Sequence, residues 1–266
     1  MWLEGLFMDL NVLQRIEEAD LVLVGLGEEF DCTKLLKQNE EYNRKLQLLD
    51  TLECKWLLPL LNQQYLTQDT KNKIKVALEK LANVLHNKNY FVVSTSTNPI
   101  IKEIPWKENR LVTPCGSYHT KQCSNGCAEM LQQVLKEDVE NATKLLDCIG
   151  QDNEITYSLG KCSDCEKPVV FNNIYAPEYN ENGYMKQWEL YTKWLQGTLN
   201  KKLLVLELGV NMQFPTVIRF PFEKVTFFNQ KAFMYRVNEK LYFLSEELNG
   251  KGQPISENAV DWLIKE

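Results

Sequence analysis

Two closely spaced pairs of cysteines set the strongest constraint on how this chain folds. Cys123 and Cys127 form the first pair, and Cys162 and Cys165 form the second, with residues 128–161 between them. A pair with this spacing places two thiolates on one ion, and two such pairs complete the tetrahedral four-sulfur shell that zinc prefers. Because that shell leaves no position open for water, the sequence predicts a structural zinc site. The alternative, four unliganded thiols, is disfavoured because exposed pairs of this kind oxidise readily.

Short apolar runs alternate with helical patterns along the rest of the chain, which is typical of an α/β fold with a parallel sheet. The runs that predict buried strands are 20–27, 89–97, 110–113, 202–209 and 232–238. The stretches that predict helices are 1–20, most of 34–86, about 126–147, 184–197, 214–221 with its exit, and 258–266.

Composition and charge limit the classes of function that this chain can have. The formal net charge is -6, which gives no support for nucleic-acid binding, since that usually needs a basic face. No apolar run approaches the roughly 18–20 residues that span a bilayer. The N-terminal segment also lacks the basic and small-residue features of a secretory signal. We therefore expect a cytoplasmic protein with neither a membrane nor a nucleic-acid partner.

A glycine turn follows the first predicted strand. Gly25 and Gly27 form half of a dinucleotide-binding fingerprint, in which glycines let the backbone approach a pyrophosphate. The next residues, Glu28 and Glu29, put carboxylates where a phosphate would lie. Two interpretations stay open: a nucleotide-binding turn, or a tight strand-to-helix turn whose carboxylates complement the helix dipole and repel a nucleotide.

Several motifs, taken in chain order, resemble the sirtuin family, and most closely its macrodomain-linked members. The matching stretches span about residues 15–245 and are 19–27, 89–96, 115–123, 121–127, 168–172, 206–222 and 235–238. The resemblance implies an α/β fold: a Rossmann-like parallel sheet flanked by helices, formed by 1–114 and 200–266, with a small zinc-binding domain at 115–199. It also implies chemistry that consumes NAD, either protein deacylation or, in the macrodomain-linked group, protein ADP-ribosylation.

The resemblance further implies which residues would meet the cofactor and which partner would be bound. Gly25, Gly27 and Gly209 would lie in nucleotide-contacting turns, and Asn238 would touch the adenosine side. A protein partner or substrate is implied, with a lipoyl-carrier-type protein as one candidate. The carboxylates of Glu28 and Glu29 argue against the binding of NAD, so the resemblance and the local sequence disagree about this cofactor.

At the catalytic positions the chain departs from the sirtuin pattern. An ungapped match puts Ser96 where the family has the Asn that positions water and ribose, and Cys115 where it usually has a His as general base. A two-residue slip would instead put Asn98 at the Asn position. Cys115 could serve as a thiolate if its pKa were lowered, or it could simply fill a vacated site. His119 could replace the lost base or be an ordinary polar residue.

Other departures concern the cofactor loop. Glu29 replaces the third glycine of the turn, Asp31 stands where a Ser belongs, and the family's cofactor-binding loop is not recognisable in 31–58. Three hypotheses follow: a degenerate sirtuin that acts by binding, an active NAD-dependent transferase or deacylase with an unusual site, and a module that binds ADP-ribose or another nucleotide. We prefer the first, because the departures together remove phosphate contacts, ribose contacts and the base.

Overall fold

The structure is a computed structural model that describes residues 10–127, 131–151 and 157–265. Its strands, in chain order, are β1 (Leu21–Leu26), β2 (Asn89–Ser94), β3 (Leu111–Val112), β4 (Gly116–Cys123), β5 (Gln132–Gln133), β6 (Val169–Asn173), β7 (Leu203–Leu208), β8 (Phe233–Val237) and β9 (Gly252–Ile255). Its α-helices are α1 (Leu10–Glu18), α2 (Thr33–Leu36), α3 (Glu40–Thr51), α4 (Leu58–Tyr65), α5 (Gln68–Leu85), α6 (Ile100–Glu103), α7 (Lys136–Asp147), α8 (Met185–Gln196), α9 (Arg219–Phe228) and α10 (Ala259–Ile264).

The main sheet is parallel throughout the described chain, with strand order β3-β2-β1-β7-β8-β9. Strands β1 and β7 pair over their full length, from Leu21 opposite Leu203 to Leu26 opposite Leu208. The chain leaves β1 towards β2 on one side and leaves β7 towards β8 on the other. The β1–β7 junction is therefore a topological switch point, where α/β sheets form a crevice outside the carboxyl ends of their strands.

Helices cover both faces of this sheet, which explains why its central strands are apolar at successive positions. Val22 and Val24 belong to the core that contains residues of α4, α5 and α10. The intervening Leu21 and Leu23 belong to the opposite core, together with residues of α8 and α9. Because successive side chains of a strand point to opposite faces, continuous burial of β1 needs helices on both sides.

A smaller antiparallel sheet, with order β5-β4-β6, carries the cysteine pairs. Cys123 is the last residue of β4. An isolated bridge between Lys161 and Pro168 closes the loop that contains Cys162 and Cys165. The two cysteine-bearing loops therefore lie at one end of this sheet.

Two sequence predictions need correction. The helix expected within 126–147 begins only at Lys136, because residues 132–133 pair with β4; residues 128–130 lie outside the described part of the chain. The helix expected at 214–221 lies later in the chain and is α9 (Arg219–Phe228). Pro221 is in the first turn of α9, where a missing backbone N–H is tolerated. Strand β9 was not predicted, as Pro254 interrupts its pattern.

The five predicted strands of the main sheet and the helical character of 34–86 are confirmed. The α/β fold class, with its parallel sheet flanked by helices, is confirmed as well. The division into domains at 115–199 stays a prediction; helix α8, within that range, packs against the main sheet through Tyr191 and Trp194. Residues 1–9 of the predicted first helix lie outside the described residues. Among the described helices, none has the length and apolarity needed to cross a bilayer.

We expect Gly27→Ala to lower the free energy of unfolding by about 3 kcal/mol, because overpacking against an immobile backbone is costly. A Cβ at this position would lie 2.2 Å from Val210 Cα and 2.4 Å from the Gly209 carbonyl oxygen. Urea denaturation followed by circular dichroism measures the change. The control is Gly197→Ala, whose added Cβ would come no closer than 3.2 Å to the Trp194 carbonyl oxygen. Equal effects of the two substitutions would contradict this account.

Candidate functional site

The structure brings the four paired cysteines together. Their Sγ atoms all lie within 4.8 Å of one another. The Sγ of Cys165 is 3.5 Å from those of Cys123 and Cys127. With a zinc–sulfur bond of about 2.3 Å, a tetrahedral site has sulfur atoms about 3.8 Å apart. The cluster, completed by Cys162, therefore fits a four-coordinate metal ion without rearrangement of the chain.

The Cys123 thiol is prepared for the charged form that a metal needs. Burial acts to raise the pKa of this thiol, but the N–H of Asn125, which donates to its Sγ over 3.3 Å, and the neighbouring thiols lower it to about 7. A thiolate is the ligand form of cysteine. For Cys123, the chemistry of the thiol thus agrees with the geometry of the cluster.

Ser96, the first candidate catalytic residue, is tied to a buried carboxyl group. Its Oγ donates to Asp31 Oδ1 over 2.8 Å, and Thr97 reaches the same carboxyl through its Oγ1 (3.3 Å) and N–H (3.4 Å). Burial raises the pKa of Asp31 to about 7, although the hydrogen bonds from Ser96 and Thr97 act in the opposite direction. A buried carboxyl group with such a pKa is a candidate proton acceptor.

Asn98, the alternative to Ser96, uses both ends of its amide within the protein. Its Nδ2 donates to the Phe30 carbonyl oxygen over 2.8 Å. Its Oδ1 accepts from Gln63 Nε2 over 3.0 Å and from the Ile100 N–H over 3.1 Å. In this arrangement the amide stabilises the loop after β2. Which of the two residues occupies the family Asn position stays a prediction.

Cys115, the second candidate catalytic residue, has the wrong environment for a thiolate. Its side chain is 2% exposed. Burial, together with the carboxyl groups of Glu28 and Asp31, raises the pKa of its thiol far above the ordinary value. This environment disfavours the thiolate form of Cys115, and a catalytic role for the residue stays a prediction. Its carbonyl oxygen accepts from the Ile174 N–H over 2.9 Å, which joins the start of β4 to the end of β6.

His119 is also unsuited to replace a base that works near neutral pH. Burial lowers the pKa of its imidazole to about 4, and the nearby Lys102 acts in the same direction. The ring stacks on Tyr118 with centroids 5.8 Å apart. Nδ1 is buried without a hydrogen-bond partner within the described structure.

The glycines predicted to bind a cofactor allow close packing of protein segments, and their contact with a cofactor stays a prediction. A Cβ on Gly25 would lie 2.5 Å from Ile218 Cγ2 and 2.8 Å from Phe222 Cε2, so this glycine lets α9 approach β1. Gly27 contacts the backbone at Val210. Gly209 has φ +65°, a conformation that favours glycine. A Cβ at this position would lie 2.7 Å from the Cβ atom of Glu29.

Glu28 and Glu29 occupy the backbone donors of the crevice. Glu29 Oε1 accepts the N–H of Glu239 over 2.8 Å, and its Oε2 accepts the N–H of Ala259 over 2.7 Å. Glu28 Oε2 accepts the N–H of Asn211 over 2.9 Å. Burial raises the pKa of Glu29, against the lowering effect of its two backbone bonds. Three N–H groups that could face a phosphate are thus taken by the chain's own side chains.

Asn238 shapes the loop after β8. Its Nδ2 donates to the Val210 carbonyl oxygen over 3.0 Å. Its Oδ1 accepts the N–H groups of Lys240 (2.9 Å) and Leu241 (2.7 Å). The residue lies in the expected crevice, but all of these contacts are with backbone atoms of the protein itself.

A cavity of about 610 Å³ lies at the carboxyl ends of β1, β7 and β8. Its walls include Glu28, Glu29, Asn211, Asn238 and Glu239. Helices α2, α5 and α10 contribute further charged residues, Lys34, Lys73 and Asp261, that were not predicted from the sequence. Lys34 pairs with Glu239, and Lys73 pairs with Asp261. No local pattern distinguishes these residues from other charged residues on exposed helix faces.

A buried ion-pair network also escaped the sequence analysis. Arg236 donates to Glu207 through Nε (2.6 Å) and Nη2 (3.0 Å) inside the main sheet. Arg219 lies 3.9 Å from the same carboxylate and donates to the carbonyl oxygens of Val210 and Leu241. The only available signal was a charged residue within each of the apolar strands β7 and β8. The network holds the loops that border the cavity.

Curated relatives of the chain include two ADP-ribosyltransferases, and no protein family model matches it. Over 266 residues the chain is 20% identical to a protein ADP-ribosyltransferase of Staphylococcus aureus, covering 91% of this chain and 82% of that protein. Over 135 residues it is 27% identical to a probable bifunctional ADP-ribose hydrolase/ADP-ribosyltransferase of Fusarium oxysporum f. sp. cubense. That match covers 50% of this chain and 23% of that protein.

Solved sirtuin structures match nearly the whole chain. Sir2Tm bound to a propionylated peptide gives a TM-score of 0.53 at 12% identity, over 95% of this chain and 94% of that one. A mutant Sir2 homologue in complex with ADP-ribose gives 0.52 at 11% identity, over 97% and 94%. The chain has the sirtuin fold. The resemblance to sirtuins noted in the sequence is thereby confirmed, and the crevice described above lies at the switch point of this sirtuin-fold sheet.

We expect Asp31→Asn to remove a pH dependence of the stability of this sirtuin-fold protein. The pKa of Asp31 is about 7 in the folded state and about 3.9 in an unfolded chain. Between these two pH values the folded protein binds one more proton than the unfolded chain does. The resulting stabilisation is fully present below the unfolded pKa and is lost as the pH rises through about 7. Relative to Asp31→Asn, the unfolding free energy of the wild type should fall by up to about 4 kcal/mol between about pH 4 and pH 8.

Urea denaturation of both proteins at several pH values measures this difference. The opposite contribution of His119, whose pKa is lowered to about 4, is common to both proteins and cancels. Parallel pH profiles for the two proteins would show that Asp31 titrates like an ordinary aspartate.

Proposed function

We propose that this sirtuin-fold protein is catalytically degenerate and acts by binding rather than by turning over NAD. The observation that carries the proposal is the position of the Glu29 carboxyl group. It accepts the N–H groups of Glu239 and Ala259 and packs over Gly209. A pyrophosphate in such a crevice is held by free backbone N–H groups and excluded by a carboxylate. The residues present therefore do not fit the phosphates of NAD.

The predicted catalytic positions support the same proposal. Release of nicotinamide from NAD needs a group that positions water and ribose, and usually a general base. Here the Ser96 hydroxyl donates to Asp31, and the amide of Asn98 is engaged on both sides. The Cys115 thiol is buried, with a raised pKa. None of these three side chains is free to perform the missing roles.

An active NAD-dependent protein ADP-ribosyltransferase or deacylase is the alternative. It is favoured by the likeness to the Staphylococcus aureus protein ADP-ribosyltransferase, which covers 91% of this chain. In that case Asp31, whose pKa is about 7, would be the group able to hold or move a proton. A module that only binds ADP-ribose or another nucleotide is the second alternative.

We also propose that Cys123, Cys127, Cys162 and Cys165 hold a structural Zn²⁺ ion. The mutual distances of their Sγ atoms support this assignment. Four thiolates close the coordination shell, so the ion would supply folding free energy and no catalytic water. It would join the end of β4 to the loop before β6.

The partner of this protein is proposed to be another protein. Several of the similar Sir2 structures contain a bound peptide, which is propionylated in one case and comes from p53 in another. A lipoyl-carrier-type protein is a candidate that rests on the sequence resemblance alone. A cytoplasmic location likewise stays a prediction from the sequence.

We expect isothermal titration of the wild-type protein with NAD and with ADP-ribose to give no binding up to about 1 mM, because the crevice donors are occupied. Glu29→Ser should free the N–H groups of Glu239 and Ala259 and produce measurable ADP-ribose binding. The control Glu140→Ser changes an exposed glutamate on α7 and should behave as the wild type.

Two results of these measurements would overturn the proposal. Wild-type binding of NAD, together with ADP-ribose on candidate acceptors by mass spectrometry, would establish the transferase. Binding of ADP-ribose without turnover of NAD would establish the nucleotide-binding module.

We expect the purified protein to contain one zinc ion per chain, measured by inductively coupled plasma mass spectrometry. Cys162→Ser should lose the ion and lower the unfolding free energy by about 4 kcal/mol or more, as loss of a structural metal does. Cys148→Ser, which changes a half-buried cysteine outside the cluster, should retain both the ion and most of the stability. Full stability of Cys162→Ser would show that the cluster is not structural.

A further inference from the structure

The outward side of α9 carries large apolar side chains where a surface helix usually carries polar ones. Phe222 is buried in the core between α9 and the main sheet. Phe220, Phe227 and Phe228, on the other side of the helix, are 49%, 40% and 62% exposed. A helix that is apolar on both sides is normally buried on both sides. Within the described chain, one apolar side of α9 is therefore uncovered.

A fourth phenylalanine joins this side of α9 from the loop that follows β8. Arg236 Nη1 donates to the Phe243 carbonyl oxygen over 2.7 Å and lies 2.8 Å from Glu223 Oε1 of α9. Phe243 is 67% exposed, and its ring stacks on that of Tyr242 with centroids 4.1 Å apart. These contacts hold the loop alongside α9. We call the four exposed rings the aromatic face: Phe220, Phe227, Phe228 and Phe243.

The aromatic face has the area that the centre of a protein interface needs. A phenylalanine buries on the order of 200 Å². At the exposures given above, the four rings present roughly 400 Å² to solvent. Burial of this face in two copies would remove roughly 800 Å² from water, which is about half of a standard interface of roughly 1,600 Å². Polar residues at the rim usually supply the rest.

Helical geometry separates the two flanks of the aromatic face. Glu223 marks the flank along which the loop lies, because Arg236 joins it to that loop. An α-helix turns about 100° per residue, so Lys224 lies about 100° and Phe228 about 140° around α9 from Glu223. Lys224 and Phe228 therefore form the flank away from the loop.

The charges on the two flanks complement each other. Glu246 and Glu247 are exposed in the same loop as Phe243, at a turn that contacts α9. Lys224, on the opposite flank, is exposed as well. A two-fold axis roughly parallel to α9 exchanges the flanks of two facing copies. It would place the acidic turn of each copy beside Lys224 of the other, and Phe243 of each copy beside Phe228 of the other.

We propose that this protein forms a two-fold symmetric dimer through the aromatic face, in which Phe243 of each copy packs against Phe228 of the other. A closed two-fold contact covers the apolar surface of both copies at once. A different partner would have to present an apolar centre and both flanking charges, whereas a second copy supplies them by symmetry. The dimer goes beyond the proposed function and does not depend on whether the crevice binds NAD.

Sedimentation equilibrium of the full chain over a range of concentrations tests the proposal. We expect a dimer of twice the chain mass, with a Kd of about 1 µM or lower, since interfaces of standard area begin at that affinity. Phe228→Glu and Phe243→Glu, on different elements of the aromatic face, should each raise the Kd at least about thirtyfold, as loss of a central aromatic anchor does. Both substitutions change exposed side chains, so the circular dichroism spectrum should stay that of the wild type.

The matched control is Val76→Glu, which also puts a carboxylate at an exposed apolar position of a helix. Val76 is 45% exposed on α5, and α5 covers the opposite face of the main sheet. This variant should dimerise as the wild type does. Equal weakening by Val76→Glu would show that added charge alone opposes association, and would overturn the proposal.

A mixing experiment tests the symmetry of the contact. Phe228→Lys and Phe243→Glu should each weaken the dimer when present alone. An equimolar mixture of the two variants should dimerise more tightly than either one, because the mixed dimer has one Lys–Glu pair and keeps one native pair of rings. A mixture no tighter than the separate variants would overturn the pairing of Phe228 with Phe243.

Two further results would overturn the dimer itself. The first is a wild-type protein that stays monomeric far above the expected Kd. Cosedimentation of that monomer with phosphatidylglycerol vesicles, lost in Phe228→Glu, would assign the aromatic face to a membrane instead. The second is a dimer that neither Phe228→Glu nor Phe243→Glu weakens, since its interface then lies elsewhere. Neither result bears on the titration with NAD, so the proposed function is tested separately.

Discussion

Parallel pairing of β1 with β7 is the interaction on which the rest of this structure depends. It runs in register from Leu21 opposite Leu203 to Leu26 opposite Leu208 and joins segments far apart in the chain. At the end of the pair, the Gly27 N–H donates to the Leu208 carbonyl oxygen over 2.8 Å. The crevice opens from this junction because the chain leaves the two strands in opposite directions. This pairing therefore brings together the turns that contain Gly25, Gly27 and Gly209.

The proposed loss of NAD binding rests on contacts made within the same crevice. Glu29 connects the turn after β1 to the loop after β8 and to the start of α10, through the N–H groups of Glu239 and Ala259. An anionic ligand would have to displace a carboxyl group that is covalently part of the site, and such a group has a high effective concentration. In the proposed function, the contacts that stabilise these loops are therefore also the ones that exclude an anion.

The predictable part of the fold was the part with strong local patterns. The central strands β1 and β7 are buried on both faces, so each appears in the sequence as a largely apolar run. Strands β4 and β5 carry no such run: Thr120 and Lys121 pair with Gln133 and Gln132, and all four are polar. Their strand conformation depends on cross-strand neighbours rather than on their own propensity. Helix α7 begins later than its pattern suggests for the same reason.

The sequence by itself determined that four cysteines meet, since their spacing and residue type already specify a tetrahedral cluster. It also determined the α/β sheet, through the alternation of apolar runs and helical patterns. Only the tertiary structure decided that Cys115 is buried with a raised pKa, and that the Asp31 carboxyl group holds Ser96. The contact between Glu29 and Ala259 spans 230 positions of the chain. Burial and contacts at such separations arise from packing, and packing leaves no local pattern in the sequence.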